Sequence, residues 1–145
     1  MTDPLSLPLM EEYAAYHRDK RNRLCHEVGI PMIVLAIIVF MRLAHYGPVD
    51  LATLAIVALS FYYYSLVRGA ALGAIVGLVV LYALATIVSW PVAAGLFVAG
   101  WILQFVGHAY EGKKPAFLTN LVHLLIGPLW ISLLLTERRT TETLR

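Results

Sequence analysis

Between residues 69 and 110 the chain carries no Asp, Glu, Lys or Arg. That is about twice the ~20 apolar residues that cross the hydrocarbon core of a bilayer as one helix. Ser89-Trp90-Pro91 divides it, because Pro marks a turn or a fresh helix start rather than a helix interior. Three further apolar runs accompany these two. The run at 28–47 holds Arg42 alone as a charge, with Gly29 and Pro31 expected to loosen its first turn and Gly47-Pro48 to end it. The run at 51–67 is closed by Arg68, and the run at 117–135 is interrupted by Gly127-Pro128. In lipid a spanning segment must satisfy its own backbone polar groups, so such runs read as helices. The expected fold is therefore all-α. It is a polytopic helical membrane bundle of four to five transmembrane helices at 28–47, 51–67, 69–88, 92–110 and 117–135, in a single domain covering 1–145. Residues 9–21 read as a short N-terminal amphipathic helix, with Leu9, Tyr13, Tyr16 and His17 at helical spacing. Asn22 is the expected cap of the next helix. Four crossings and five both fit, since Gly127-Pro128 can break the last helix.

Composition agrees. Hydrophobic residues make up 60% of the chain and charged residues 14%, against about 45–50% and 25% in soluble domains. A net charge of +2 is too mild for nucleic acid, and the expected surroundings are membrane lipid. One cysteine, Cys25, excludes an internal disulfide framework. The acidic, proline-bearing N-terminus lacks the pattern of a signal peptide, so the first span is expected to act as its own targeting signal. If the spans alternate, Arg18, Lys20, Arg21, Arg23, Arg68, Lys113 and Lys114 share one side, which the positive-inside rule assigns to the cytoplasm. Tyr62-Tyr63-Tyr64 reads as an interfacial aromatic belt. Gly69, Gly73 and Gly77 read as a close-packing face, within the bundle or between copies in a homo-oligomer.

The same alternation brings four of the five histidines to one face. His17 and His26 stand at the start of the first span, His108 at the end of the fourth and His123 in the first turns of the fifth; His45 lies at the opposite end as an exposed loop residue. His17 and His26 are nine positions apart, which is opposite faces of one helix at 3.6 residues per turn. They share a site only if the chain turns between them, and the turn is expected at Asn22. Gln104, His108 and Glu111 form a stripe on one helix face that Trp101 continues inward, and Asn120, His123 and Gly127 form another. Polar side chains are expensive in lipid and mark function there. Imidazole suits iron, copper and zinc, and a histidine cluster with one carboxylate suits non-haem iron. Glu111 is either a ligand and catalytic group or the partner that fixes a ligand histidine. Asn22, Gln104, Lys113 and Lys114 are candidates for supporting ligands or holding substrate, although the two lysines also read as plain topology charges. A b-type haem or a metal- or proton-handling membrane protein would use the same histidines. A transporter or channel is expected to spread ionisable groups through the membrane depth, and the second and third spans have none.

Two segments resemble a known family. Residues 16–31 carry His17, Asn22, His26, Gly29 and Pro31 in an HxxxxNxxxHxxGxP pattern. Residues 100–130 carry Gln104, Gly107, His108, Glu111, Pro115 and Ala116 in a QFxGHxxE…PA pattern. Together they resemble the small Mpo-like membrane proteins, over about a third of the chain. This chain departs from the fungal pattern by a His108–Glu111 spacing one residue shorter and by His123 in place of glutamine. The resemblance implies an Fe(II)-dependent dioxygenase that shortens long-chain 2-hydroxy fatty acids by one carbon with O₂. It implies His17, His26 and His108 as iron ligands, with His123 the further candidate. The acyl chain is expected among the first, fourth and fifth spans. The short chain suits a bacterial inner-membrane protein with its metal near the cytoplasmic face.

Overall fold

The computed structural model describes the backbone of residues 8–68, 71–118 and 122–143, and the side chains of these except 116 and 137–143. The described residues form α1 (Pro8–Ala15), α2 (Lys20–Arg42), strands β1 (His45–Tyr46) and β2 (Val49–Asp50), α3 (Leu51–Leu66), α4 (Ala71–Ala85), α5 (Trp90–Glu111), a 3-10 turn (Ala116–Leu118) and α6 (Val122–Thr143). The all-helical expectation holds.

Several boundaries differ from the hydropathy pattern. The helix expected at 9–21 stops at Ala15, and α2 begins at Lys20 rather than 28. Asp19 supplies the cap instead of Asn22: it sits in extended backbone and its carboxylate accepts from the Arg21 N–H at 2.8 Å. Charged residues of the first α2 turn are helical even though they lie outside the apolar run. At the far end α2 stops at Arg42 and a two-stranded hairpin pairs His45 with Asp50. Gly47 turns it at φ 60°, a conformation without steric cost only for glycine. Pro31 stays inside α2 without ending it. The run expected at 117–135 starts as a 3-10 turn before α6.

Helix α2 is the hub, packed along α5 and touching α3, α4 and α6. Glycines set its distance to α5. A Cβ on Gly29 would lie 2.9 Å from the Gly100 carbonyl oxygen, and one on Gly100 2.9 Å from the Gly29 carbonyl. One on Gly107 would lie 2.5 Å from Asn22 Oδ1. Gly29 thus serves packing rather than loosening a turn. Of the face expected from glycine spacing, Gly69 lies outside the described residues. A Cβ on Gly73 would meet the Ser132 hydroxyl of α6, whereas Gly77 faces open space.

The core has two parts. One gathers Met10, Tyr13, Tyr63, Ile126, Leu129 and Trp130 near the start of α6. The other joins Ala36, Val39, Ala52, Ala85 and Ala93 near the hairpin. Tyr63 is fully buried and donates its hydroxyl hydrogen to the Leu125 carbonyl, so within the tyrosine run it is a core residue and only Tyr64 points outward. Many large apolar side chains face out, Phe61, Leu72, Val98 and Phe105 among them, each more than half exposed. Helices α2 and α5 are long and apolar enough to cross a bilayer; α3, α4 and Val122–Thr136 of α6 are apolar but shorter.

Candidate metal centre

Three segments deliver three imidazoles to one point. His17 lies in the turn after α1, His26 in the second turn of α2 and His108 in the last turn of α5. Each offers a ring nitrogen, and these atoms all lie within 4.8 Å of one another. Ring centroids are 4.3 Å apart for His17–His26, 4.8 Å for His26–His108 and 5.1 Å for His17–His108. All three are buried.

The turn that carries His17 is held by four side chains. Asn22 Nδ2 donates to the Tyr16 carbonyl at 3.0 Å, and Arg23 Nε to the His17 carbonyl at 2.7 Å. Lys113 Nζ donates to the Ala15 carbonyl at 2.9 Å. The Glu111 carboxylate accepts the backbone N–H groups of Arg18 (3.0 Å) and Asp19 (2.8 Å) and the Asn22 amide (3.2 Å). Gly112, at φ 69°, ends α5 directly after Glu111 and so fixes where that carboxylate emerges. Thus Glu111 engages the backbone of the turn instead of joining the histidine trio. Lys113 ties the same turn, and Lys114 is exposed away from the cavity.

The backbone also selects tautomers. His17 Nδ1 lies 2.6 Å from the Tyr13 carbonyl and His26 Nδ1 2.9 Å from the Asn22 carbonyl. A carbonyl only accepts, so each Nδ1 carries the proton and each Nε2 keeps its lone pair. Carbonyl-oriented imidazoles are the usual arrangement around a protein-bound metal. His17 Nε2 and His108 Nδ1 are buried without a hydrogen-bond partner among the described residues. Burial, reinforced by His108 and Arg23 and only partly opposed by the Tyr13 carbonyl, pushes His17 down to about 4. It is therefore neutral at pH 7, as a ligand must be. The donor set fits a metal ion.

A cavity of about 70 Å³ adjoins the trio, lined also by Tyr13, Trp101, Gln104, Phe117 and His123. Gln104 Nε2 has no partner among the described residues. His123 is buried in the same cavity but stands outside the trio, with Nε2 3.4 Å from the Glu12 carboxylate. Asn120 lies outside the described residues. Helical spacing assigns Tyr13 no role beyond an apolar face, and nothing in the pattern singles out Trp130. Yet Tyr13 stacks on His17 at 4.2 Å, and Trp130 lies 5.1 Å from both rings. The i, i+4 spacing of Tyr13 and His17 was the available signal.

Comparison with known proteins identifies the family. A family described as 2-hydroxy-palmitic acid dioxygenase Mpo1-like matches residues 8–139. The 2-hydroxy-palmitic acid dioxygenase MPO1 of Saccharomyces cerevisiae is 34% identical over 121 residues, covering 79% of this chain and 69% of the yeast protein. No solved structure matches. The matched segment includes every histidine of the trio and each side chain that holds the His17 turn, and the chain belongs to the Mpo1-like family.

Proposed function

We propose that this protein is a non-haem Fe(II)-dependent dioxygenase that converts long-chain 2-hydroxy fatty acids to acids one carbon shorter. The observation that carries the reading is the convergence of His17, His26 and His108, buried and with ring nitrogens within 4.8 Å of one another. Three neutral imidazoles suit iron. The chemistry that bound Fe(II) supplies is activation of O₂, which no side chain of this chain provides. The balance closes without another reductant: a 2-hydroxy acid and O₂ give the shorter acid, CO₂ and water.

The chain's own residues do the rest. His17 and His26 present Nε2 because backbone carbonyls hold their Nδ1 protons. Gln104 offers its unpartnered amide N–H to the substrate's carboxylate or hydroxyl oxygens. Tyr13 and Trp130 cover His17 and exclude water. Glu111 acts as a positioning residue through the turn that carries His17. His123 is a further ligand candidate from the same cavity. A haem is disfavoured, because the cavity beside the histidines, about 70 Å³, does not hold a porphyrin.

The apolar exterior favours a bundle embedded in a membrane, with α2 and α5 spanning and the shorter helices alternating beside them. Its histidine end then lies on the side of Arg18, Lys20, Arg21, Arg23, Arg68, Lys113 and Lys114. That side is cytoplasmic by the positive-inside rule, in a bacterial inner membrane.

The test is turnover of 2-hydroxypalmitic acid by anaerobically purified protein given Fe(II) and then O₂, followed by mass spectrometry. About one iron per chain and the fifteen-carbon acid are expected. Iron bound with no shortened acid from any chain length removes the assigned reaction.

A further inference from the structure

We propose that the substrate's acyl tail lies in a groove between α2, α4 and α6, outside the histidine cavity; this deepens the 2-hydroxy acid reading and rests on it. The cavity beside the histidines is about 70 Å³. That is room for a few water-sized groups, enough for a carboxylate and hydroxyl but not for a long tail. Sites that enclose whole ligands run about 300–1,000 Å³. The α2/α4/α6 groove is about 820 Å³ and apolar, and it shares Ile30 and Val34 with the histidine cavity as common wall. Gly127 lines the cavity and Pro128 the groove, so the two meet along α6 as well. From there the groove follows α4 from Leu72 to Leu81 and α6 to Thr136, leading away from the histidine end. A head group at the histidines and a tail along α4 would be joined past Ile30, the side chain that stands between the two spaces.

Ile30 is the partition. A Cβ on Gly127 would stand 2.9 Å from Ile30 Cδ1, so the Ile30 side chain rests against the Gly127 backbone where the two spaces meet. Further along, Gly77 lines the groove and a Cβ there meets nothing within 4 Å. The position has space for a larger side chain, and leaving glycine favours a helix interior. Gly77 therefore helps set the length of tail that fits. Hydropathy alone points to α2, α5 and α6 for the tail; this proposal puts α4 in place of α5, since glycines bring α2 and α5 together and the larger open space lies against α4.

Gly77→Leu is the direct test, with Val76→Phe as the independent second variant on the same groove wall. Each should lower kcat/KM for the longest 2-hydroxy acids about tenfold, the loss for roughly two unburied methylenes, and leave the shortest acids and the iron content unchanged. Equal loss at every chain length, or no loss at any, in both variants overturns the assignment. A photoreactive group at the tail end of a 2-hydroxy acid, added to wild-type protein, gives a reading independent of turnover. Label on residues 72–81 of α4 that free 2-hydroxy acid competes away supports the groove. Label on α5 alone, or label on α4 that free acid does not displace, overturns it, the latter meaning that bilayer lipid occupies the groove. If no acid is shortened but the competed α4 label persists, the reaction fails and the tail site stands.

Discussion

At the hairpin end of the bundle, Asp50 caps α3 by accepting the Thr53 N–H at 2.7 Å, and it also accepts the hydroxyls of Thr53 (2.9 Å) and Tyr82 (2.7 Å). Arg42 approaches the same carboxylate at 3.4 Å and donates to the Ala85 carbonyl at 2.6 Å, joining the ends of α2, α3 and α4. At the opposite end, His17 Nε2, His108 Nδ1, Asn22 Oδ1 and Gln104 Nε2 are buried without partners among the described residues. Both clusters place polar groups in an apolar protein, where each unpaired group costs about 1–3 kcal/mol. The first spends its polarity on closing the fold. The second keeps its polarity open, as a site does when its partner is a ligand.

Exchanging the roles of the two ends gives the largest contrast. His26→Ala or His108→Ala should cut iron affinity more than about a hundredfold, beyond the 10–100-fold loss typical of a residue that only supports a ligand. Melting should hardly move in metal-free protein. Asp50→Ala should do the reverse, leaving iron per chain intact while lowering unfolding free energy by about 2–4 kcal/mol from a lost cap and orphaned Tyr82 and Arg42 groups. Metal analysis and thermal unfolding on the same samples decide it. Iron loss from Asp50→Ala at unchanged melting would erase the distinction between the ends.

Glu111→Gln sharpens the comparison inside the histidine end. The amide would set its N–H₂ against the backbone donors of Arg18 or Asp19 and loosen the His17 turn. A loss of about 10–100-fold is expected, larger in turnover than in iron content. An equal fall in both would make Glu111 a ligand.

The smallest effect is on pH. His17 has its pKa lowered by burial to about 4 from 6.5. The unfolded chain therefore binds the extra proton first, and metal-free protein should lose stability as pH falls from about 6.5 to about 4. Burial alone would raise Asp50, but the hydrogen bonds from Tyr82 and Thr53 outweigh it and hold the carboxyl at about 2, below 3.8. Its contribution is complete above about pH 4 and is lost as pH falls to about 2. Melting of His17→Gln and Asp50→Asn against pH should lessen the loss in the upper and the lower window respectively. A single window lost in both variants would break the separation.

The sequence by itself determined the helical class and which helices start and end at the histidine end. Hydropathy is a sum along the chain, and alternation of runs follows from connectivity. It also marked His17, His26 and His108, because polar residues stand out where the surroundings are apolar. Three things needed the tertiary structure. Asp19 rather than Asn22 caps α2, because Asn22 is drawn to the Tyr16 carbonyl and the distant Glu111. Gly29 and Gly100 close the α2–α5 seam while Gly77, more regular in its spacing, touches nothing. And the Glu111 carboxylate belongs to the backbone of a turn some ninety residues earlier. Each depends on which partner lies across a helix interface, a quantity set by packing distance in three dimensions and carried by no periodicity of the chain.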